Sequence, residues 1–312
     1  MIKKVLITGG AGFLGSKLAT KLVFQNFIVT VIDKELYSNN SLDHLIPYKN
    51  FSYFKGDVRN KKLMKKLIKK QNFIIPLAAL VGAPLCEKNK KLATETNLDA
   101  IKFIVNNIKS NQKIIIPSTE SGYGKTKKNV ICDENTPVNP ISHYGRTKLE
   151  SENLVLSRKN SVVLRLGTVF GISYRFRQDL LVNNLVTRSL DDKKLDIFEG
   201  HYRRNFISIE DVTDTMIYII NNFNKFKGEI FNVGLGSGNV TKIQLAKIIK
   251  KYIKNLKIID NKNRKDPDQR DYSVSSKKLE KRGYKPKVSL SEGIKQLILF
   301  LDKKKFSNNY NY

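Results

Sequence analysis

The stretch KKVLITGGAGFLGSKLAT (residues 3–20) decides which fold the rest of the chain must fit. It joins a β-branched apolar run to Gly9, Gly12 and Gly15, and then to a segment with helical periodicity. In a βαβ unit the first glycine permits a tight turn, the second lets the backbone approach a pyrophosphate, and the third lets the helix pack closely on the strand. The helix N-terminus then faces the anion. The stretch therefore predicts a dinucleotide-binding loop.

An acidic residue follows the second strand at the position that such a loop requires. VTVID (29–33) ends in Asp33, about twenty residues after the glycine loop, where a carboxylate can accept from the hydroxyls of the adenosine ribose. Asp33 would repel a 2′-phosphate, which favours NAD over NADP, and Lys34 beside it weakens that preference slightly. The alternative is a structural glycine turn that binds no phosphate, and the position of Asp33 disfavours it.

Two further elements could contact the same cofactor. GDV (56–58) places Asp57 after another short strand, where it could reach the adenine amino group or serve as an ordinary turn carboxylate. In PLAALVG (76–82), the small Ala78 and Ala79 would let the backbone pass close to a cofactor, although two alanines alone would indicate only packing.

The pattern of the whole chain predicts an α/β fold. Short β-branched runs alternate with helical periods from KKVLIT to SVVLRL, which is repeated βαβ and buries a parallel sheet between two helical layers. We expect a Rossmann-type doubly wound sheet in 1–171 and a smaller α/β C-terminal substrate lobe in 172–312, with some chain crossover between them. Within the lobe we expect a loop-rich stretch at 172–210, helices near 211–223 and 241–254, and a frayed C-terminal end.

Composition limits the possible partners. The chain has 312 residues and a formal net charge of +29, but its lysines fall mostly on the polar sides of helical stretches such as 60–70 and 241–254. Such lysines form a solvated face, so we expect no nucleic-acid partner, while the positive field favours a small anionic substrate. Cys86 and Cys132 lack neighbours at metal-ligand spacing, so we expect free thiols and no metal site. No run of 18 apolar residues occurs, so we expect a cytoplasmic protein without a membrane partner.

A tyrosine and a lysine stand one helical turn apart. NPISHYGRTKLESENLVL (139–156) begins with a Pro-containing turn and continues as a helix, which places Tyr144 and Lys148 on one face. A phenol with a reference pKa near 10 is a poor base, but a nearby ammonium favours the phenolate. A surface helix with one aromatic residue and one lysine is the alternative. Thr119, at the end of KIIIPST (113–119), supplies a hydroxyl after another strand.

Together these motifs resemble the extended short-chain dehydrogenase/reductase family, in its nucleotide-sugar branch. The resemblance rests on the glycine loop, Asp33, the LAA element (77–79), Thr119 five positions before Gly124, and the Tyr144–Lys148 pair. It implies that Tyr144 is the base acting on a sugar hydroxyl, that Lys148 binds the nicotinamide ribose and lowers the tyrosine pKa, and that Thr119 hydrogen-bonds the same hydroxyl. The cofactor contacts that follow are Gly9, Gly12, Phe13, Leu14, Gly15, Asp33, Asp57, Val58, Leu77, Ala78, Ala79, Tyr144 and Lys148.

The resemblance also implies residues that hold the substrate. RRNFISIEDV (203–212) and DPDQRDYSVS (266–275) supply Arg204 and Arg270 as diphosphate ligands, because a guanidinium can donate two hydrogen bonds to phosphate oxygens. Asn183 matches the substrate-binding asparagine of the family. Thr119 is expected at the sugar hydroxyl, and Glu120 either touches outer hydroxyls of the sugar or faces away from the site.

Longer stretches narrow the resemblance. GAPLC (82–86) and VFGISYRFRQDLLVN (169–183) are most similar to NAD-dependent GDP-D-glycero-α-D-manno-heptose 4-dehydrogenases of capsular polysaccharide pathways. The usual family residues His, Asn and Pro are replaced by Pro76, Thr168 and Ile172, which puts a common epimerase assignment in doubt. We therefore rank oxidation at carbon 4 of a GDP-heptose first and 4-epimerisation of a UDP- or GDP-sugar second.

Other functions remain as alternatives. A 4,6-dehydratase needs an Asp-Glu pair directly after the threonine, and here Glu120 and Ser121 supply only one acid. A non-catalytic NAD-binding regulator usually loses the tyrosine or the lysine, whereas Tyr144 and Lys148 are both present. Family members commonly dimerise through the helix that bears these two residues, so by analogy we expect a homodimer.

Overall fold

The computed structural model describes residues 2–37, 40–127, 130–261 and 270–303. The expected frayed end beyond residue 303 and the first part of the motif at 266–275 lie outside these ranges.

Strands and helices alternate as the sequence predicts. The strands are β1 (Lys4–Thr8), β2 (Ile28–Asp33), β3 (Phe51–Lys55), β4 (Phe73–Pro76), β5 (Lys113–Thr119), β6 (Ile131–Cys132), β7 (Ser161–Leu166), β8 (Thr168–Phe170), β9 (Lys194–Phe198), β10 (Arg203–Ser208), β11 (Glu229–Val233), β12 (Asn239–Thr241), β13 (Lys257–Asn261) and β14 (Ser273–Val274). The α-helices are α1 (Phe13–Phe24), α2 (Lys61–Ile68), α3 (Ala83–Lys88), α4 (Lys90–Thr94), α5 (Ala100–Asn107), α6 (His143–Leu156), α7 (Leu181–Asp191), α8 (Ile209–Asn221), α9 (Lys242–Lys250), α10 (Lys277–Lys281) and α11 (Leu290–Asp302). A π-helical stretch, Glu95–Asp99, links α4 to α5, and short 3₁₀ turns cover Asp43–Leu45, Glu120–Tyr123, Phe223–Lys225 and Gly236–Gly238. Within the described ranges, no helix has both the length and the apolar character needed to cross a bilayer.

The central sheet has seven strands in the order β3-β2-β1-β4-β5-β7-β11, and every neighbouring pair is parallel. The chain runs outward from β1 in both directions, toward β3 on one side and toward β11 on the other. In such a sheet the connections diverge at the carboxyl ends of the two central strands and leave a crevice there. The crevice at the ends of β1 and β4 is therefore where a ligand site is expected.

The strands are buried on both faces, because helices cover the sheet from two sides. Val5 and Ile7 of β1 point into a core with residues of α1 and α8, and Leu6 points into a second core with residues of α2, α5 and α6. The predicted Rossmann-type doubly wound sheet is thus confirmed.

The smaller lobe has its own core. Residues of α7, α9 and α11 pack there on a three-stranded sheet, β12-β10-β8, and on the pair β13-β9. The expectation of a loop-rich stretch at 172–210 was wrong, because this stretch contains α7, β9 and β10. The strands there take their partners from elsewhere in the chain: β9 pairs with β13, and β10 pairs with β8 and β12.

The chain crosses between the two parts. After β10, helix α8 returns to the large sheet and shares a core with α1, and β11 then adds to the sheet edge beside β7. Both elements follow residue 172 in sequence but complete the nucleotide-binding part in space.

Candidate functional site

A cleft of about 420 Å³ opens at the carboxyl ends of the central strands. The glycine loop, the ends of β2, β4 and β5, and the first turns of α6 line it. All residues predicted to contact the cofactor line this one cleft, namely Gly9, Gly12, Phe13, Leu14, Gly15, Asp33, Asp57, Val58, Leu77, Ala78, Ala79, Tyr144 and Lys148.

The geometry of the glycine loop leaves no room for side chains. Gly9 has a φ of +69°, and a Cβ atom there would lie 2.5 Å from the backbone nitrogen of Ala78. A Cβ atom on Gly15 would lie 2.3 Å from the carbonyl oxygen of Gly9. Helix α1 begins at Phe13 without a side-chain cap, so its first-turn amides have no intrahelical partner and are directed at the cleft. This cradle fits a pyrophosphate group.

The carboxylate of Asp33 is fixed beside the glycine loop. Its Oδ2 accepts from the Ala11 amide at 2.9 Å, and its Oδ1 accepts from the Glu35 amide at 2.8 Å. Burial raises the pKa of Asp33, although these amides oppose the shift by stabilising the charged form. The position fits the ribose hydroxyls of an adenosine.

Thr119, Tyr144 and Lys148 meet at the other end of the cleft. Thr119 ends β5, while Tyr144 lies in the first turn of α6, where the side chain of Ser142 caps the helix by accepting from the Gly145 amide at 3.1 Å. The Thr119 hydroxyl donates to the Ser121 hydroxyl at 2.9 Å. All three predicted residues line the cleft, and the alternative of a surface helix is excluded.

The electrostatics around Tyr144 differ from the expectation. Burial raises the pKa of Tyr144 to about 12 and lowers the pKa of Lys148 to about 8, because each charged form loses solvation. Lys148 donates to the carbonyl oxygen of Pro117 at 2.9 Å. The positive charges that oppose the rise in the tyrosine pKa come from Arg270 and Arg177. The cationic field at the phenol is therefore shared with arginines of the smaller lobe.

Of the predicted substrate ligands, Thr119 and Arg270 line the cleft, and Asn183, Arg204 and Glu120 do not. The Asn183 side chain is fully buried, donates to the carbonyls of Gly171 and Arg177, and accepts from the Gly171 amide at 3.0 Å. These bonds fix the conformation of the loop between β8 and α7, which carries cleft residues, and the Asn183 side chain itself does not line the cleft.

Arg204 is also buried behind the cleft wall. Its Nη1 donates to the Arg203 carbonyl at 3.0 Å, and its guanidinium lies 5.8 Å from the ring centroid of Tyr272, which lines the cleft. Of the two arginines predicted to bind the diphosphate, Arg270 thus lines the cleft, and Arg204 lies beside Tyr272.

Glu120 lies inside the protein, although it follows Thr119 directly. It has no exposed surface, and neither carboxyl oxygen has a hydrogen-bond partner among the residues that the structure describes. Burial, and secondarily the negative charge of Glu134, raises the pKa of Glu120 well above its ordinary value. Glu120 thus faces away from the cleft, which is one of the two positions expected from the sequence.

The substitution Glu120→Gln is expected to stabilise the protein increasingly as pH rises from 5 to 8. Because the folded-state pKa is raised, the wild type loses stability above the unfolded-state pKa of glutamate, with a slope of up to about 1.4 kcal/mol per pH unit, and a glutamine does not titrate. Urea unfolding at several pH values would measure this. Glu150→Gln, on the exposed side of α6, should leave the slope unchanged. Equal slopes for wild type and Glu120→Gln would contradict the expectation.

Sequence reasoning missed two cationic residues of the cleft, Arg175 and Arg177. Both lie in the loop between β8 and α7, line the cleft and are almost fully buried. Arg175 lies 4.9 Å from the ring centroid of Tyr37, and Arg177 is paired with Asp179. The available signal was the segment YRFRQD (174–179), in which two arginines surround one phenylalanine.

A buried ion pair lies under the catalytic candidates. Arg165 of β7 pairs with Glu152 of α6 through its Nε and Nη2, with an Nη2 to Oε2 distance of 2.8 Å, and the two side chains are 5% and 3% exposed. Ser118 donates to the same carboxylate, and Arg165 also donates to the Tyr123 hydroxyl at 3.2 Å. The network ties β5, β7 and α6 together directly below Thr119.

The chain is similar to proteins of known name and known structure. The dTDP-D-glucose 4,6-dehydratase of Dictyostelium discoideum is 25% identical over an alignment that covers 100% of this chain and 83% of that protein. The solved UDP-glucuronic acid 4-epimerase from Bacillus cereus, in complex with UDP-glucuronic acid and NAD, has a TM-score of 0.85 at 26% identity, covering 96% of this chain and 99% of that one. The UDP-glucose 4-epimerase from Thermotoga maritima, solved with UDP-glucose, has a TM-score of 0.83 at 26% identity with the same coverage. The sequence model of the NAD dependent epimerase/dehydratase family matches residues 5–234, more than half of the chain. The protein therefore belongs to this family of NAD-dependent enzymes.

Proposed function

We propose that this protein uses NAD to oxidise the carbon-4 hydroxyl of a nucleotide-activated sugar. One observation carries the proposal: Thr119, Tyr144 and Lys148 line the same cleft as the glycine loop and Asp33. A hydroxyl, a phenol and an ammonium are the groups that such an oxidation requires, and the glycine cradle fits the pyrophosphate of a dinucleotide.

The chain's own residues would act as follows. Tyr144, as phenolate, takes the proton of the sugar hydroxyl, while the Thr119 hydroxyl hydrogen-bonds the same oxygen and orients it. Lys148 is positioned to bind the nicotinamide ribose, and Asp33 accepts from the adenosine ribose. When bound, NAD supplies the acceptor for the hydride. Arg270 and Arg177 favour the phenolate through their positive charge.

The distribution of carboxylates argues that the reaction does not proceed to loss of water. Among the described residues lining the cleft, the carboxylates are Asp33 and Asp57, and both lie at the adenosine end. Elimination needs an acid and a base near carbons 5 and 6, but Glu120 is buried away from the cleft and Ser121 carries no carboxyl group. These positions favour release of the 4-ketone over dehydration.

For the substrate we propose GDP-D-glycero-α-D-manno-heptose, in the biosynthesis of a capsular or other surface polysaccharide. Support comes from the similarity of GAPLC (82–86) and VFGISYRFRQDLLVN (169–183) to that group of enzymes. Both segments contribute residues to the cleft. Arg175, Arg177 and Arg270 suit an anionic diphosphate.

A 4-epimerase of UDP- or GDP-sugars is the second candidate. The observation that favours it is the similarity at 26% identity to solved structures named as UDP-sugar 4-epimerases. An epimerase uses the same first step and then returns the hydride to the opposite face of the ketone, which requires space and no further side chain.

We also propose that the protein is a cytoplasmic homodimer joined through α6 and its neighbour, by analogy with the family.

Incubation with NAD and a panel of GDP-, UDP- and dTDP-sugars tests these proposals. We expect GDP-heptose to give a product lighter by two hydrogens together with reduced cofactor, measured by mass spectrometry and absorbance. A new isomer of unchanged mass would instead establish epimerisation. Loss of water would contradict the argument from the cleft carboxylates.

A further inference from the structure

The adenosine end of the cleft contains a cluster of charges that the expected roles do not explain. Asp33 is the last residue of β2, Asp57 lies just after the neighbouring parallel strand β3, and both are at the same edge of the sheet. Lys34 and Arg59 lie beside them and also line the cleft. Two cations at this position would be expected to attract a 2′-phosphate on the adenosine ribose, which Asp33 would repel.

Asp57 binds both cations. Arg59 places its Nε 3.1 Å from each carboxylate oxygen and its Nη2 2.8 Å from Oδ2, and Lys34 places its Nζ 3.1 Å from Oδ2. The backbone amide of Arg59 also donates to Oδ1 at 2.9 Å, which fixes the aspartate in a tight turn. Arg59 is held from the other side by Glu95, with Nη1 2.6 Å from Oε2.

This geometry leaves Asp57 little capacity for the expected contact to the adenine amino group. A carboxylate offers about four acceptor positions, and Arg59 and Lys34 already surround both oxygens. The Arg59 guanidinium holds the pKa of Asp57 well below its usual range, so the carboxylate stays charged at any working pH. A bidentate pair within a network is also more persistent than an isolated surface pair.

We infer that Asp57 is a determinant of cofactor specificity, which binds Lys34 and Arg59 and thereby keeps both cations from a 2′-phosphate. Asp33 rejects the phosphate directly, and Asp57 removes the cations that would compensate. On this inference, Lys34 does not weaken the preference for NAD as the sequence alone suggests, because Asp57 binds it. The inference rests on the proposed use of NAD and is independent of which sugar is oxidised.

The test compares the dissociation constants of NAD⁺ and NADP⁺, measured by isothermal titration calorimetry. In Asp57→Asn, the released cations should improve the affinity for NADP⁺ relative to NAD⁺ by about tenfold, and the gain should shrink at high salt. Adding Lys34→Met to this variant should remove part of the gain. Glu95→Gln is the matched control, because it removes one ion-pair partner of Arg59 but leaves Asp57 in place. The ratio of the NAD⁺ and NADP⁺ dissociation constants in this variant should change less than about twofold.

Lys34→Met in the otherwise unchanged protein tests the inference without touching Asp57. The preference for NAD⁺ over NADP⁺ should stay the same, because Asp57 already binds the Lys34 cation. A lower affinity for NADP⁺ would show that Lys34 is available to a 2′-phosphate and would overturn the inference. An unchanged preference in Asp57→Asn, or equal weakening of both cofactors as for an adenine contact, would also overturn it while leaving the proposed function intact. Failure of the wild type to bind NAD⁺ would overturn the proposed function and this inference together.

Discussion

Tyr144→Phe is expected to lower kcat by about a thousandfold while leaving the affinity for NAD nearly unchanged. The substitution removes only the phenolic oxygen, which is the proposed base in the cleft that Thr119 also lines. The ring remains and keeps its packing against the buried cluster of Leu80, Cys86 and Ala93, so the fold and the cofactor cradle should be preserved. Steady-state kinetics, together with calorimetric titration of NAD, would separate the two effects.

Tyr174→Phe is the matched control for this substitution. Tyr174 is half exposed, stacks on His44 and does not line the cleft, so loss of its hydroxyl should leave kcat within about twofold of the wild type. Turnover by Tyr144→Phe at the wild-type rate would remove Tyr144 from the mechanism. A loss of NAD affinity as large as the loss of kcat would make Tyr144 a cofactor ligand rather than the base.

Arg165→Met is expected to lower the free energy of unfolding by about 3–5 kcal/mol. The substitution leaves the carboxylate of Glu152 buried without its cation, and the cost of an unpaired buried charge exceeds the value of the pair itself. Denaturant unfolding monitored by circular dichroism would measure the change. The double variant Arg165→Met with Glu152→Gln should recover much of the loss, because it removes the uncompensated charge.

Arg282→Met provides the comparison at the surface. Arg282 pairs with Glu229, and these side chains are 39% and 31% exposed, so solvent screens the interaction and the loss should stay below about 1 kcal/mol. If Arg165→Met destabilises the protein no more than Arg282→Met does, the buried network does not carry the stability assigned to it. A wild-type stability of the double variant would support the charge argument further.

The sequence predicts those parts of the site whose chemistry is local. The tight turn at Gly9, the acid at the end of β2 and the one-turn spacing from Tyr144 to Lys148 each depend on residues near one another in the chain, and all of them line the cleft. The sequence does not determine where Asn183 and Glu120 point, because the direction of a side chain depends on distant partners. The motif around Asn183 gives no sign that its amide bonds to Gly171 and Arg177.

The smaller lobe was less predictable for the same reason. Within the described part of the chain, strand β9 pairs only with β13, which is distant in sequence, and β10 lies between β8 and β12. Short strands that are stabilised by distant segments carry little periodicity of their own. The loop that carries Arg175 and Arg177 is likewise held by a distant contact, because Ser173 donates to the carbonyl of Phe13 at the start of α1.

The return of the chain to the large sheet means that the nucleotide-binding part is not a separable module. A fragment ending at residue 171 would lack α8 and β11, leaving β7 as an unpaired edge and uncovering the apolar side of α1, including Leu18 and Leu22. An open edge and an exposed apolar face favour association between chains over independent folding. The boundary between cofactor and substrate residues therefore does not mark a place where the polypeptide can be divided.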